Sequence, residues 1–357
     1  QGAAQLAKEV LTNALTIVRA SGNRANEAQA LYALARAERA LGNLTQAHTH
    51  SQSALSKAEA VRSEVWSQQL RASYRASVQQ FYELHLELLM QLHEAHPTAG
   101  YAALAVQASE QARARSLLEL LTEARTDLRN GADPALLARA DTLSQQLNAK
   151  AQRQLQLTMQ RGNEAQLSEL QQEISALEDE SNQLEAQLRQ SNPRYAALTH
   201  PQPLSLAQMQ QQLEPNSLLL EYALGEERSW LWAVTKTSLT SFALPKRAEI
   251  ELAVRQLREL LLARSQRVRD ETQRQRAARI AQTDLQAAAA AATLSQMLLQ
   301  PVAPLLENRQ LIIVADGALQ AVPFAALSVV SNQMPVASSL PNRQPTSHIR
   351  QPLIVNH

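Results

Sequence analysis

One stretch decides the fold, and it reads Leu311-Ile312-Ile313-Val314-Ala315-Asp316-Gly317-Ala318-Leu319-Gln320-Ala321-Val322-Pro323-Phe324-Ala325-Ala326-Leu327. Residues 311–315 are all apolar and include three β-branched side chains, which predicts a strand buried on both faces within a parallel sheet. Asp316-Gly317 predicts a turn, because aspartate can accept a hydrogen bond from its own backbone ahead and glycine tolerates positive φ. Function in α/β folds often lies where such a strand ends, so Asp316 is a candidate site residue by position. The simpler alternative is a core strand followed by an ordinary turn.

Composition narrows the class of protein. The 357 residues predict about two or three domains, and 45% apolar with 3% aromatic residues predicts cores built from Leu, Ala and Val. The small number of glycines, 8, favours long packed helices. A net charge of +1 predicts neither a nucleic-acid nor a membrane partner.

The chain has no cysteine. Within these residues, that excludes disulfides, thiolate metal sites and a cysteine nucleophile. No apolar run reaches the ~18 residues that span a bilayer and no signal peptide opens the sequence, so we expect a cytoplasmic location. The sequence begins at Gln1 and stops at His357, just after an apolar run, so we expect a fragment of a longer protein.

Two short turns divide the beginning of the chain into helices. Ser21-Gly22-Asn23 and Leu41-Gly42-Asn43 predict helix ends, because Gly and Asn adopt the left-handed cap conformation. After the second turn, Ala47 and Ala54 lie on consecutive turns of one helix face, where small side chains let antiparallel helices approach closely. Residues 28–61 therefore resemble a tetratricopeptide repeat.

A second, longer copy of this pattern follows. A helix is predicted over residues 62–96, and the segment 97–100 breaks it. Ala105 and Ala112 then follow the break at the same offsets as the alanines of the first copy. We assign residues 1–126 to tetratricopeptide-like repeats that bind a protein or peptide, with a plain helical bundle as the alternative.

One acidic residue and three histidines of this region are candidates for a role other than helix packing. Glu38 stands where an aromatic residue is common in such repeats. His85, His93 and His96 lie on one predicted helix, but their spacing does not match a His-Glu-x-x-His metal motif. We expect these histidines to lie at the surface or at helix ends and assign no metal site.

The composition of residues 127–200 differs from that of the repeats, because the predicted helices here are rich in Gln and Glu. Asp133-Pro134 predicts a helix start, and Arg161-Gly162-Asn163 predicts a turn. Beyond the turn, a heptad seam with one polar position comprises Leu167, Leu170, Ile174, Leu177, Ser181, Leu184 and Leu188. We predict an antiparallel coiled-coil hairpin, either a protein-docking arm or a spacer packed along its own domain.

Residues 201–357 predict an α/β domain. Ser205 starts a short helix, and strands are expected at 218–224, 229–235 and 239–244, with a hairpin loop between the first two. Trp230 and Trp232 share one face of the second strand. Packing within a sheet explains them better than a base-stacking platform, because no basic residues are interleaved.

A basic tract lies in a helix predicted over residues 246–282. Its arginines are Arg264, Arg267, Arg269, Arg274, Arg276 and Arg279. They favour either an acidic or nucleic-acid partner or a solvated helix face, and the near-neutral whole chain favours the solvated face. A second helix is predicted over 284–306 with a break at Pro301, followed after residue 327 by a loop of low order and a strand at 353–355.

Three segments together carry a family resemblance. They are Leu218-Leu219-Leu220-Glu221-Tyr222 with the Trp-bearing hairpin, Leu294-Ser295-Gln296-Met297-Leu298-Leu299-Gln300-Pro301-Val302, and the opening stretch 311–327. These segments resemble the CHAT family, in which caspase-like domains follow tetratricopeptide repeats. Upstream, residues 112–121 are similar to the helix that commonly ends the repeat region in that family.

The resemblance implies a caspase-like α/β fold and a cysteine peptidase that uses a His and a Cys on later strands. This sequence has no Cys and no His-Gly dipeptide, so no catalytic, cofactor-binding or metal residue is assigned. The resemblance also implies that the Asp316-Gly317 turn is scaffold rather than part of the chemistry. The expected architecture is repeats over 1–126, a hairpin and linker over 127–200, and the first part of a caspase-like domain over 201–357.

Two functions stay open at this point. The chain is either an inactive part of a repeat-bearing caspase-like cysteine peptidase or a non-catalytic helical scaffold for protein–protein interaction. An open sheet without its later strands exposes an edge and apolar faces. We therefore expect isolated residues 201–357 to be poorly soluble or partly unfolded.

Overall fold

The structure is a computed structural model that describes residues 2–20, 24–61, 68–123, 133–159, 164–192, 203–266, 268–327 and 354–355. Contacts between residues divide the chain into two compact units, residues 1–204 and 205–357. The first unit is helical, and the second combines helices with a mixed β-sheet. The α plus α/β class predicted from the sequence is therefore confirmed.

The first unit begins with five helices in which each packs on the next. They are α1 (Gly2–Ala20), α2 (Arg24–Ala40), α3 (Leu44–Val61), α4 (Gln68–Ala95) and α5 (Tyr101–Glu123). Gly42 in the turn after α2 has φ +83°, which confirms the left-handed cap predicted there. The break predicted at residues 97–100 is also confirmed, and Gly100 there has φ +83° as well. The predicted stop at residues 21–23 lies outside the described residues.

Small side chains allow the close helix packing that the sequence predicts. Ala47, Ala54 and Ala105 are completely buried, and Ala112 is half-buried. Ala54 and Ala112 pack in one apolar cluster with Leu31, Leu34, Val78 and Phe81, and Ala47 packs in another with Leu84 and Leu88. Residues 24–61 and 68–123 therefore form two successive helix–turn–helix pairs.

Buried carboxylates join α1 to α2 and α3. The Glu38 carboxylate accepts hydrogen bonds from Lys8 at 2.9 Å and from the Asn43 amide at 2.8 Å. Burial raises the pKa of Glu38, but these hydrogen bonds outweigh burial and hold the pKa below its ordinary value. Glu27 is bound in the same way by Arg19 and Lys57. Ion pairs thus occupy the place where the repeat pattern favours an aromatic ring.

The last two helices of this unit form a hairpin, α6 (Pro134–Met159) and α7 (Glu164–Ser191). They run antiparallel, because Arg139 pairs with Glu180 and Lys150 pairs with Glu173. Helix α6 begins at the proline, as predicted. The side chains buried in the hairpin are Leu143, Leu147, Leu170, Leu184 and Leu188.

The second unit contains a five-stranded sheet and three α-helices among its described residues. Its elements are α8 (Leu206–Gln212), β1 (Ser217–Ala223), β2 (Ser229–Val234), β3 (Leu239–Leu244), α9 (Arg247–Ser265), α10 (Gln273–Leu298), β4 (Gln310–Val314) and β5 (Ile354–Val355). Short 3₁₀ helices follow at 300–305, 317–321 and 324–326. The short helix after Ser205 and the first three predicted strands are confirmed, and Ser205 caps α8 through a capping box.

The strand order is β3-β2-β1-β4-β5. Strands β1, β2 and β3 form an antiparallel meander, whereas β4 pairs in parallel with both β1 and β5. The prediction that residues 311–315 lie in a parallel arrangement is confirmed. The first strand is therefore the point where antiparallel pairing changes to parallel pairing.

The prediction that this strand is buried on both faces is wrong. Leu311 is buried, but Ile312, Ile313 and Val314 are only half-buried. Leu311 and Ile313 belong to the face that packs with α9 and α10, while Ile312 and Val314 point to the other face. A run of apolar residues indicates a strand, but it does not determine how completely each face is covered.

The boundaries predicted for the two long helices are also wrong. Helix α9 ends at Ser265 rather than running to 282, and α10 spans Gln273–Leu298 rather than 284–306. The chain turns between them at Asp270, whose φ is +59°, and Thr272 caps α10 through a capping box with Gln275. The break expected at Pro301 is confirmed, because α10 ends just before it.

Candidate functional site

The candidate site from the sequence lies at the carboxyl edge of the sheet. Since β1 and β4 are parallel neighbours, their carboxyl ends meet at the same edge. Asp316 follows β4, and one of its carboxylate oxygens accepts a hydrogen bond from the Leu224 backbone N–H at 2.7 Å. The expectation that Asp316 would cap its own turn is wrong, because its side chain makes no such bond. Its carboxylate holds the end of β1 instead.

A second contact secures the same loop from the opposite side. The guanidinium of Arg247, at the start of α9, donates to the Leu224 carbonyl oxygen at 2.6 Å. The Arg247 backbone N–H also donates to the Gly225 carbonyl oxygen at 2.8 Å. Both backbone groups of Leu224 are thus bound by charged residues distant in sequence. This clamp joins the ends of β1 and β4 to the beginning of α9.

Two glycines make this arrangement possible. Gly317 has φ +52°, the left-handed conformation that the sequence predicts. A Cβ atom at Gly225 would lie only 2.3 Å from the Arg228 carbonyl oxygen. The hairpin between β1 and β2 therefore requires glycine at residue 225 because the backbone folds back on itself.

The core beneath the clamp connects the segments that are far apart in sequence. The Tyr222 hydroxyl on β1 donates to the Leu298 carbonyl oxygen at the end of α10, at 3.1 Å. The ring centroids of Tyr222 and Phe324 are 5.7 Å apart. Burial raises the pKa of Tyr222, so its hydroxyl keeps its proton and stays a donor. Strand β1, the end of α10 and the segment after β4 thus form one apolar core.

The other face of the sheet carries the tryptophans. Trp230 and Trp232 are almost completely buried, which confirms sheet packing rather than a base-stacking surface. Glu221 lies directly opposite Trp232 across β1 and β2, and it is completely buried. Sequence reasoning missed Glu221 and Arg247 as structural residues. The sequence did contain a signal for Glu221, because it is the one charged residue inside an otherwise apolar strand.

A cluster of polar aromatic residues lies between the helices of the first unit. His85 on α4 is buried, and its Nδ1 lies 3.1 Å from the Ser51 hydroxyl oxygen on α3. The His48 ring stacks on His85 at 5.2 Å between centroids, and Tyr101 on α5 meets His48 edge-on. Burial, with His48 as a smaller cause, lowers the pKa of His85 to about 4. His85 is therefore neutral at neutral pH.

The prediction that all three histidines of this region lie at the surface or a helix end is wrong for His85. His93 is half-buried near the end of α4, and His96 is exposed just after it. The described residues contain no group of three or more potential metal ligands.

Comparisons with known proteins leave the family open. The sequence matches no protein-family model and no curated protein, and the fold matches no solved structure. Within the part of the chain that the structure describes, no helix is long and apolar enough to cross a membrane.

Proposed function

We propose that these residues are the partner-binding and scaffold part of a CHAT-type, caspase-like cysteine peptidase. One observation carries the proposal: the three segments that resemble this family lie in one core. Residues 218–222 lie in β1, residues 294–302 comprise the end of α10 and the start of the 3₁₀ helix after it, and residues 311–327 comprise most of β4 and the turns after it. Their side chains pack together although more than seventy residues separate the first two segments.

The sheet is of a kind that supports this chemistry. In mixed α/β sheets, reactive groups usually follow the carboxyl ends of parallel strands, where loops are held by neighbouring strands. The clamp made by Asp316 and Arg247 holds that edge at β1 and β4. In this proposal, Asp316 is a positioning residue, and the chemistry is performed by a thiolate that a neighbouring histidine generates.

These residues cannot supply that thiolate, because they include no cysteine. The proposal therefore requires a His-Gly dipeptide and a later Cys in sequence beyond His357. The role of the residues described here is to position those groups and to recruit a protein through the stacked helix pairs of α2–α5. Stacked helix pairs present extended concave surfaces for such partners.

The test is to read the coding frame beyond the codon for His357 and to express the extended protein. We expect a His-Gly dipeptide and a later Cys, and we expect peptide hydrolysis that a Cys→Ala substitution abolishes. If the frame ends without these residues, or if hydrolysis survives the Cys→Ala substitution, the peptidase assignment is wrong. In the first case the non-catalytic scaffold becomes the better hypothesis.

A further inference from the structure

The hairpin formed by α9 and α10 has a distal end that the core does not use. Helix α9 packs on the sheet through residues 250–257, and α10 packs through residues near 294–298. Of the described residues of α10, Thr283 is the buried one nearest to the loop between α9 and α10. We call residues 258–279 the basic tip. Its shape does not follow from packing against the sheet.

The basic tip is nevertheless held firmly by its own contacts. The Arg279 guanidinium binds both carboxylate oxygens of Glu271, at 2.7 and 2.9 Å, and donates to the Ala263 carbonyl oxygen at 2.9 Å. Arg264 also pairs with Asp284 across the two helices at 2.8 Å. Bidentate pairs of this kind fix side-chain geometry. These contacts connect the end of α9 to the beginning of α10 in advance of any contact with a partner.

Positive charge on the basic tip exceeds what these pairs neutralise. The tip contains seven arginines and three acidic residues, a net charge of +4 in a chain of net charge +1. Arg258, Arg269 and Arg274 are exposed, and none of the three forms an ion pair with the residues that the structure describes. Arg276 is exposed as well, and its positive charge helps to lower the pKa of Glu271. Arginine carries a planar fork of donors that fits carboxylates.

Apolar side chains are exposed between these arginines. Leu261, Leu262 and Val268 expose 41%, 53% and 53% of their surface. The near-neutral charge of the whole chain favours the interpretation that this is an ordinary solvated helix face. That interpretation does not explain why three large apolar side chains are exposed to water. A surface that combines exposed apolar side chains with unpaired arginines fits an acidic protein surface with an apolar centre.

The same chain carries such a surface on α7. That helix contains seven acidic residues and one arginine, a net charge of −6. Glu169 and Asp179 are exposed on it, and neither forms an ion pair with the described residues. The seam residues Leu167, Ile174 and Leu177 are only half-buried, because a two-helix hairpin covers one side of its seam.

We propose that the basic tip of one copy docks on α7 of a second copy. Arginines of the tip meet the carboxylates of α7, and the exposed Leu and Val side chains cover the half-buried seam. The contact joins two different surfaces, so copies either close into a ring, of which a reciprocal dimer is the smallest, or extend as an open chain. Paired exposed charges make the association sensitive to salt.

The first experiment measures the mass of the whole chain by sedimentation at low and high salt. We expect concentration-dependent dimers or larger rings at about 50 mM NaCl, and an association about tenfold weaker at several times that ionic strength. A monomer under both conditions overturns the proposal.

The second experiment reverses the charges. Arg274→Glu with Arg276→Glu should abolish association, and so should Glu169→Arg with Asp179→Arg on α7. The tip substitutions place acidic side chains at the start of α10, where they are favourable, and circular dichroism of the variant checks that it folds. The matched control, Lys236→Glu with Arg309→Glu, changes net charge by the same amount outside the tip and should associate like the unmodified chain.

The third experiment mixes the two charge-reversed proteins. The substitutions leave one protein with a tip of net charge 0 and the other with an α7 of net charge −2, so each protein alone has lost or weakened the charge attraction between its two surfaces. The mixture pairs the unmodified tip of one protein, of net charge +4, with the unmodified α7 of the other, of net charge −6. We expect the mixture to associate more strongly than either protein alone. If the mixture does not associate, the proposed partner is wrong. The proposal is also wrong if the unmodified chain does not self-associate but binds single-stranded nucleic acid or anionic vesicles, and the tip variant loses that binding.

Discussion

At the scale of single residues, two charged side chains hold the carboxyl edge of the sheet by binding backbone groups that are distant in sequence. Asp316 accepts the Leu224 N–H, and Arg247 donates to the Leu224 carbonyl. A buried backbone group that loses its partner costs more than an exposed one, because no water replaces the lost bond. Individual substitutions at these residues therefore report directly on the clamp.

Asp316→Ala should lower the free energy of unfolding of the second unit by about 1–3 kcal/mol, because it leaves the Leu224 N–H without its acceptor. Asp316→Asn keeps a carbonyl oxygen at the same place and should lose less. Urea denaturation monitored by tryptophan fluorescence measures both. Equal losses for the two variants would show that the hydrogen bond is not the cause.

His85 should make the first unit sensitive to mild acid. Its pKa in the folded chain, about 4, lies below the ordinary value of 6.5, so the unfolded chain takes up a proton first as the pH falls. Stability is complete above pH 6.5 and declines as the pH falls towards 4, by an amount on the order of 3 kcal/mol. Burial also lowers the pKa values of His48 and His50, which act in the same direction.

The measurement compares unfolding free energies at about pH 7.5 and pH 5, a window above the range in which carboxylates titrate. His85→Leu should reduce the pH dependence, while the exposed control His96→Gln should leave it unchanged. A pH dependence that His85→Leu does not alter would contradict the assignment to His85.

At the scale of elements, capping residues decide where helices begin. Sequence periodicity placed one continuous helix over residues 246–282, but the chain ends α9 at Ser265 and restarts α10 after Thr272. The signal was present as Thr272-x-x-Gln275, a capping box that the arginine-rich context obscured. Local hydrogen bonding at the cap therefore overrides the propensity of the flanking residues.

Thr272→Ala should destabilise the second unit by about 1 kcal/mol, because α10 loses its side-chain cap. Thr272→Ser retains the hydroxyl and should be close to neutral. Thermal unfolding followed by circular dichroism distinguishes them. If Thr272→Ser destabilises as much as Thr272→Ala, the lost methyl group rather than the cap accounts for the effect.

At the scale of the whole molecule, two compact units have separate apolar cores. Leu88 lies in a helical core of the first unit, and Leu231 lies in the sheet core of the second. Both side chains are completely buried, so truncation of either to Ala should cost about 2–5 kcal/mol. Each substitution should act mainly on the unit that contains it.

A Trp66→Phe background tests this independence, because the remaining tryptophans, Trp230 and Trp232, then report only on the sheet. Leu231→Ala should lower the urea midpoint measured by fluorescence. Leu88→Ala should leave that midpoint unchanged while it lowers the midpoint of helix loss measured by circular dichroism. A shift of the fluorescence midpoint by Leu88→Ala would show that the two units unfold together.

The sequence by itself determined most secondary structure. Alternating or continuous apolar runs predicted β1 to β4, a Gly-Asn turn predicted the break after α2, and the segment 97–100 predicted the break after α4. Both signals are local: side-chain periodicity and backbone conformational freedom act within a few residues. For the same reason, the turn at Asp316-Gly317 and the hairpin before β2 were predictable without knowledge of their surroundings.

Only the tertiary structure decided which partners these residues meet. The Asp316 carboxylate binds a backbone group 92 residues away rather than its own turn. His85 is buried against Ser51, 34 residues away, rather than exposed at the surface. Such contacts depend on how strands and helices are brought together, and a local pattern carries no information about them. The burial of β4 likewise depends on which elements cover each face, so its apolar run predicted the strand but not its environment.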